Sequence, residues 1–408
     1  MKAFNAAYLL IFSAVLLGCQ AIQGFDERVG SAPKKTVVLD GLRSPWSLAF
    51  IDEYTVLITE KEGGLVLADL QTGRVQPIRG LPDDLVADVR VETNSDNGGL
   101  FDLVLHPSFP KSPWLYLSYA AQSTEGRTTK VVRAKLSGTS LFEIETLLVA
   151  KPYTKGEFFH YGGGLVFGQD DRLYITVGER IFNETSNPAV PIAQDPLDRR
   201  GKIYRLNADG SVPSDNPDFG DGAAEGLYAI GIRAAQGLTL HPQTGEVWFS
   251  EHGSRQGDEI NRLIAGANYG WPIVTDGGYR DADYVPPQRS AENYEPPVWS
   301  WKQTVAPTGL TFYYGSAFPD WRGDLLVAGL SRGNLWRLNF VDDEIVSVEE
   351  LFVNDRVRSR KVAVSPSGVL YLLTDTLIRV ADDGSLEFSG KPSGQLIRID
   401  NHQTEKAK

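Results

Sequence analysis

Sulfur is almost absent from this sequence, since its 408 residues include one cysteine, Cys19, and one methionine, Met1. A single cysteine cannot form an intramolecular disulfide, and it excludes a zinc site built from several cysteines. Positive charge is also scarce, because 40 Lys and Arg residues stand against 52 Asp and Glu residues and give a net charge of −12 at pH 7. So acidic a chain is a poor ligand for phosphate backbones, and nucleic-acid binding is not expected.

The first 19 residues have the pattern of a targeting segment. Lys2 is followed by a mostly apolar run, Ala3–Leu17, which is too short for a comfortable transmembrane helix. The run ends in Leu-Leu-Gly-Cys, and this ending resembles the bacterial lipobox, in which cleavage leaves the cysteine first and lipid is attached to it. An ordinary signal peptide with an incidental cysteine is the alternative.

Lipidation of Cys19 predicts a lipoprotein that faces the periplasm. Because the next residue is Gln20 and not Asp, retention in the inner membrane is not signalled, and the outer membrane is the expected location. Several acyl chains give stable anchoring, so the lipid is the only membrane contact that we expect.

The rest of the chain repeats a strand–turn–strand–turn–strand pattern six times. Six such units predict an all-β fold, a six-bladed β-propeller, with a pair of β-sandwiches as the alternative. The apolar segments Thr36–Leu39 and Leu396–Ile399 can share the last blade and so close the ring. The first strands of the six repeats begin near Leu48, Leu103, Leu165, Leu238, Leu310 and Val362.

The domain organisation follows from these two patterns. We expect a signal peptide with its lipobox in residues 1–18, a flexible tether in 19–34, the propeller in 35–400 and a polar tail in 401–408. The unequal spacing of the repeats predicts long insertions, which is where binding loops usually lie.

Two polar residues flank the paired strands of the third repeat. His160 precedes the first strand, close to Gly162, Gly163 and Gly164, and Glu179 follows the second strand. In adjacent antiparallel strands, the residue before one and the residue after the next lie at the same end. The two side chains can therefore meet, and the carboxylate can orient the imidazole for proton abstraction. A turn histidine and a strand-end carboxylate without function are the alternative.

Arg233 occupies the same position before the fourth repeat that His160 occupies before the third. An arginine there can stabilise a developing oxyanion, although a structural ion pair is the simpler interpretation. The segment Ser250–Asn261 that follows is acidic and rich in oxygen donors. Carboxylates and backbone carbonyls suit a hard cation such as calcium, but the segment does not have the pattern of an EF-hand.

These motifs resemble the soluble quinoprotein sugar dehydrogenases, the glucose/sorbosone or aldose dehydrogenases that use pyrroloquinoline quinone (PQQ). The segment His160–Glu179 is similar to their catalytic blade, and Glu251–Asn261 and Asn268–Pro272 are the most specific matches. The resemblance extends from about Gly41 to Asp375, nearly the whole chain after the targeting segment. The family fold is a six-bladed propeller, in agreement with the number of repeats.

The resemblance implies an oxidoreductase that oxidises aldose sugars at the anomeric carbon by hydride transfer to PQQ. His160 would be the base that takes the proton of the anomeric hydroxyl, with Glu179 beside it, and Arg233 would polarise the quinone oxygen. A sugar is the implied substrate, and the acceptor that reoxidises the cofactor is not identified by the sequence.

The resemblance also implies the groups that hold the cofactor. A calcium ion would bridge PQQ to the backbone carbonyls of Gly253 and Ser254. Arg358 and Arg360 would bind the carboxylates of PQQ through their guanidinium groups, although an exposed basic turn is the alternative. Asn97, which stands where the family usually has glutamine, is the remaining candidate for cofactor binding.

The sequence also differs from the family pattern in ways that keep other functions open. Retention of His160, Arg233 and Gly253 favours the enzyme. Loss of an amide at Ala234 favours a non-catalytic carbohydrate- or protein-binding propeller on the same scaffold, and a calcium-dependent hydrolase is the third possibility. The departures from the usual family residues are Asn97, Gly164, Glu179, Ala234, Ser254 and Lys361.

Overall fold

The computed structural model of the protein describes residues 33–87, 98–155, 160–180, 191–278, 293–331, 333–353, 357–380, 386–388 and 393–401. Regular structure in these ranges is almost entirely β-strand. Two short 3-10 helices cover Ile192–Gln194 and Pro319–Trp321. No helix within the described ranges has the length and apolarity needed to cross a membrane.

The strands form antiparallel sheets, each of which is one blade. Strand β1 (Lys34–Leu42) precedes the first complete blade. Blade 1 consists of β2 (Pro45–Phe50), β3 (Thr55–Glu60), β4 (Gly64–Asp69) and β5 (Arg74–Pro77). Blade 2 consists of β6 (Leu100–Leu105), β7 (Trp114–Ser123), β8 (Gly126–Ser137) and β9 (Ser140–Val149). Blade 3 consists of β10 (Gly162–Phe167), β11 (Arg172–Val177), β12 (Lys202–Asn207) and β13 (Leu227–Ile230).

The second half of the ring repeats the same order of strands. Blade 4 consists of β14 (Ala235–Leu240), β15 (Val247–Glu251), β16 (Glu259–Arg262) and β17 (Trp299–Ser300). Blade 5 consists of β18 (Pro307–Phe312), β19 (Leu325–Gly329), β20 (Leu335–Val341) and β21 (Glu344–Leu351). Blade 6 contains β22 (Val357–Val364), β23 (Leu370–Val380), the short β24 (Leu386–Phe388) and β25 (Gly394–Asp400).

Strand β1 closes the ring by completing blade 6. It pairs antiparallel with β25, with Val37 opposite Ile397 and Leu39 opposite Leu396. The hydroxyl of Thr36 donates a hydrogen bond of 3.0 Å to the carboxylate of Asp400 across the same pair. The structure thus confirms the six-bladed propeller and the shared last blade, and it excludes the sandwich alternative.

The hydrophobic core is divided into layers between neighbouring blades. Leu57 of blade 1 and Leu117 of blade 2 are both fully buried in one such layer. Five further clusters fill the spaces between the other pairs of neighbouring blades. Each fully buried leucine contributes roughly 1.5–3 kcal/mol, so the ring is stabilised by apolar packing without any disulfide.

The first strand of each blade lies at the axis of the ring, where the channel contains a cavity at each end. Lys361 lines the cavity at the end where the first strands finish, and its Nζ lies 3.2 Å from Oδ1 of the fully buried Asp102. Asp102 also accepts hydrogen bonds from the hydroxyl of Ser47 and from the backbone N–H of Leu165. This one carboxylate therefore joins the inner strands of blades 1, 2, 3 and 6, and it explains how the sequence accommodates Lys361.

Candidate active site

The candidate site is the cavity at the end of the channel where the first strands begin. All six blades contribute to its wall. One lining residue from each blade, in chain order, is Trp46, Phe101, His160, Arg233, Ala306 and Arg360.

His160 and Glu179 form a close pair at the wall of this cavity. Nδ1 of the imidazole lies 2.5 Å from Oε1 of the carboxylate, and both side chains are largely buried, with 10% and 6% of their surface exposed. His160 lines the cavity, whereas Glu179 lies behind it. A carboxylate that accepts the Nδ1 proton leaves Nε2 with its lone pair available as a base.

The backbone around His160 depends on glycine. His160 itself has a left-handed backbone (φ 53°), and Gly162 and Gly163 follow with φ values of 71° and 97°. A Cβ atom at Gly163 would lie 2.8 Å from the ring of Phe101. A Cβ at Gly178 would lie only 1.9 Å from the carbonyl oxygen of His160. The glycines thus allow the two strands to approach closely enough for the pair to form.

Arg233 is held in place by contacts with other residues of blade 4 and its loops. Its backbone N–H donates to the carboxylate of Glu251 at 2.5 Å, and Nη1 donates to the carbonyl of His252 at 3.2 Å. The guanidinium stacks on the ring of Trp271, 5.0 Å from the ring centre. Only 3% of the residue is exposed. These contacts fix the guanidinium at the cavity wall, one blade further along the chain than the base candidate.

Trp271 is positioned in turn by an amide pair. The side chain of Gln194 donates to the carbonyl of Trp271 at 2.7 Å and exchanges hydrogen bonds with the side chain of Asn268. The loop that carries Gln194 is held by Lys202, whose Nζ donates to three backbone carbonyls. The Asn268–Pro272 motif therefore contributes to the site through the ring of Trp271, on which the guanidinium of Arg233 stacks.

Arg358 and Arg360 share one buried carboxylate. Nη2 of Arg360 lies 3.2 Å from Oδ2 of Asp375, and Nε of Arg358 lies 4.0 Å from the same oxygen. Burial lowers the pKa of Arg358 to about 10, with Asp375 opposing this effect and Arg360 reinforcing it. Arg360 also donates to Oε1 of Gln236 at 2.8 Å. The two arginines are thus buried in the cavity wall, and the interpretation as an exposed basic turn is wrong.

Gly253 and Ser254 line the cavity on the loop after β15. The backbone N–H of Gly253 donates to Oδ1 of Asp258 at 2.8 Å, and Oδ2 accepts from the N–H groups of Val305 and Ala306 at 2.6 and 2.7 Å. Burial raises the pKa of Asp258, and these hydrogen bonds oppose the rise. Asp258 therefore links the loop after β15, which contains Gly253 and Ser254, to the residues that precede β18 of blade 5.

Two predicted site residues, Asn97 and Cys19, lie outside the described residues. Of the departures from the family pattern, Gly164 has a direct explanation, because a Cβ there would lie 2.9 Å from the carbonyl oxygen of Gln236. Ala234 is buried but does not line the cavity.

Sequence reasoning assigned no individual role to several polar residues at or behind the cavity wall, among them Lys61, Gln236, Asp258 and Asp375. For Lys61 a signal was present, because it lies in the turn directly after the second strand of blade 1, and the corresponding turn of blade 3 carries Glu179. For Asp375 there was none, since it lies inside the long strand β23.

Comparison with known proteins agrees with this architecture. The family model described as Glucose / Sorbosone dehydrogenase matches residues 42–386. Aldose sugar dehydrogenase YliI of Escherichia coli K12 is 33% identical over 348 residues, which are 83% of this chain and 89% of that protein. Quinoprotein glucose dehydrogenase B of Acinetobacter calcoaceticus is 29% identical over 444 residues and 90% of each chain.

A solved structure of the PQQ-bound form of aldose sugar dehydrogenase from Streptomyces coelicolor is similar along almost its whole length. It superposes with a TM-score of 0.69 at 25% identity, covering 90% of this chain and 98% of that chain. Since the family model spans well over half of the sequence, the protein belongs to the glucose/sorbosone dehydrogenase family.

Proposed function

We propose that the protein is a PQQ-dependent dehydrogenase that oxidises aldose sugars at the anomeric carbon. The observation that supports this most directly is the His160–Glu179 pair, which presents an imidazole backed by a carboxylate to a cavity rich in arginine. The names of the relatives point to the same class of reaction.

The residues of the cavity fit an anionic cofactor such as PQQ, which carries three carboxylates. Among the described residues, the buried Nε atoms of Arg358 and Arg360 have no hydrogen-bond partner in the protein. Unsatisfied buried donors are costly, and a carboxylate is their natural acceptor. Arg358 and Arg360 would hold these carboxylates, and Arg233 would face the reactive carbonyl.

A calcium ion is the second group that we propose for this cavity. In the described part of the chain, no cluster of three or more His, Cys, Asp or Glu side chains is arranged to hold a metal ion. Calcium accepts backbone carbonyls as ligands, and Gly253 and Ser254, whose carbonyls would hold the ion, line the cavity.

The chain's own residues divide the reaction between them. His160 accepts the proton of the anomeric hydroxyl at Nε2 while Glu179 keeps Nδ1 protonated and the ring oriented. When bound, the quinone supplies the acceptor for the two electrons and the hydrogen of the anomeric C–H bond. The positive charge of Arg233 stabilises the negative charge that develops on the cavity ligand. The sugar loses two electrons and two hydrogens and becomes the lactone.

Reconstitution tests the proposal. Purified apo-protein is mixed with PQQ and calcium, and reduction of an artificial electron-accepting dye is followed with a panel of aldoses. We expect sugar-dependent dye reduction that requires both PQQ and calcium. Absence of dye reduction with every sugar would overturn the proposal. Sugar binding by calorimetry without any oxidation would instead support the non-catalytic propeller.

We also propose that Cys19 anchors the protein to the outer membrane through lipid, with the propeller in the periplasm. The lipobox-like ending of the apolar run supports this location. The lipid tethers the enzyme, so that sugar and electron acceptor are met on the periplasmic side.

A further inference from the structure

Lys61 directly follows the second strand of blade 1, β3. Its backbone N–H donates to the carbonyl of Ser44 at 2.9 Å, and its own carbonyl accepts from the N–H of Leu100 at 3.3 Å. The backbone is thus fixed between blades 1 and 2. The side chain lines the cavity, and only 7% of the residue is exposed.

The charge of Lys61 acts on the carboxylate that the two arginines share. Burial alone would raise the pKa of Asp375, but the positive charges of Arg360, Arg358 and Lys61 together hold it below its ordinary value. Lys61 therefore reaches the same electrostatic cluster from the neighbouring blade. The cluster spans the boundary between blade 6 and blade 1.

The described residues that line the cavity carry an excess of positive charge. Asp258 is the carboxylate among them, while the cations are Lys61, Arg233, Arg358 and Arg360. Three further carboxylates lie behind this lining: Asp375 beside the two arginines, Glu179 beside His160, and Glu251, which accepts from the backbone N–H of Arg233. The surface that faces a ligand therefore presents four cationic side chains and one carboxylate, and such a surface suits an anion with several carboxylates.

We propose that Lys61 is a third cofactor-binding cation, which holds a carboxylate of PQQ together with Arg358 and Arg360. The inference rests on the proposed function and extends it to a residue on the opposite side of the blade 6–blade 1 boundary. The cofactor would then be held by residues of blade 1 and blade 6, which come from the two ends of the chain.

The test is the affinity of the apo-protein for PQQ in the presence of calcium, measured by calorimetry without any sugar. Lys61→Met keeps the length of the side chain and removes its charge, and we expect its Kd to rise about ten- to a hundredfold. Lys61→Arg should retain most of the affinity. Lys111→Met removes an exposed lysine from the turn after β6 and serves as the control, with an unchanged Kd.

A salt titration separates a contact with the ligand from a structural role. If Lys61 pairs with a carboxylate, the Kd of the Lys61→Met variant depends less on salt than that of the unaltered protein. Should this variant fail to fold, Lys61→Gln provides the same comparison. An unchanged Kd with an unchanged salt dependence would overturn the role of Lys61 and leave the proposed function intact. Failure of the unaltered protein to bind PQQ would overturn both.

Discussion

The carboxylate of Glu179 lies 2.5 Å from Nδ1 of His160, and the backbone N–H of Glu179 donates to the carbonyl of Arg233 at 2.9 Å. One residue thus links the base candidate of blade 3 to the arginine of blade 4. A shift of Glu179 would move both groups relative to a ligand in the cavity. Substitutions of Glu179 are for this reason the most direct test of how the site is arranged.

Replacing Glu179 with Gln tests the orientation of the base. The amide of Gln can donate to Nδ1 and place the imidazole proton on Nε2, which removes the lone pair that faces the cavity. We expect kcat for aldose oxidation to fall by about 10²- to 10⁴-fold in the steady-state dye assay, with unchanged affinity for PQQ.

Glu179→Asp is the matched control, since it keeps the carboxylate and shortens the side chain by one methylene. It should lose much less activity than Glu179→Gln. His160→Ala should lose as much activity as Glu179→Gln while PQQ still binds. A Glu179→Gln enzyme with the kcat of the unaltered protein would show that the carboxylate does not orient the base.

Asp375 tests the electrostatics of the arginine pair. Asp375→Asn leaves Arg358 and Arg360 buried beside each other without their shared counterion. Breaking a buried ion pair in this way costs about 3–5 kcal/mol, so the free energy of unfolding of the apo-protein should fall by that order. Under the proposed function PQQ would supply replacement carboxylates, and it should then raise the melting temperature of this variant more than that of the unaltered protein.

The exposed Asp343 provides the comparison for this experiment. Asp343→Asn removes the same charge from the turn between β20 and β21 and should leave the unfolding free energy within about 0.5 kcal/mol of the unaltered protein. Equal stability of the Asp375→Asn and Asp343→Asn apo-proteins in denaturant titrations would contradict the counterion role.

We expect Lys202 to make the stability of the protein depend on pH. Burial, partly offset by Asp198, lowers the pKa of Lys202 from 10.5 to about 7. Between these values the unfolded chain holds a proton that the folded protein has released, so stability rises with pH. The expected gain from this group is up to about 1.4 kcal/mol per pH unit above pH 7, and the full penalty remains below pH 7.

Denaturant titrations at pH 7, 8 and 9 measure this effect. The unaltered protein and Lys111→Met should gain stability over the series by the same amount, and Lys202→Met should lack that gain. Parallel curves for Lys202→Met and the unaltered protein would show that the ammonium keeps its proton, which its three carbonyl acceptors favour.

The proposed lipidation of Cys19 predicts where the protein is found in the cell. Cells that express the full chain should incorporate labelled palmitate into it and retain it in the membrane fraction. Cys19→Ala should abolish the label and release the protein, whereas Ser13→Ala, a small change within the apolar run, should change neither. Membrane retention of Cys19→Ala would contradict the lipid anchor.

The sequence was sufficient for the architecture because the repeated unit is local. The first strands predicted near Leu48, Leu103 and Leu165 all lie at the axis, and the pairing of Val37 with Ile397 completes the predicted last blade. The same reasoning about strand ends put His160 and Glu179 at one end of blade 3, where the structure has them in contact.

The contacts between distant blades were beyond this reasoning. Arg360 and Gln236 are 124 residues apart in the chain and meet only because the ring brings the starts of two inner strands together. The pair of Lys361 and Asp102 spans 259 residues and joins blades that are not consecutive in the sequence. No local pattern encodes which side chains face each other across an axis. The set of residues that forms the cavity wall therefore could not be predicted from the sequence.

Closure of the ring by β1 and β25 has a consequence for the order of assembly. The hydrogen bond from Thr36 to Asp400 spans 364 residues. Strand β1, the first to be synthesised, can therefore pair only after β25, the last, has been synthesised. Contacts of such high sequence separation form slowly. The blade that carries Arg358 and Arg360 is complete only when β25 has joined it, so the proposed cofactor site is assembled at the end of folding. Deletion of the last strand should therefore abolish cofactor loading even though every residue of the cavity wall would still be present.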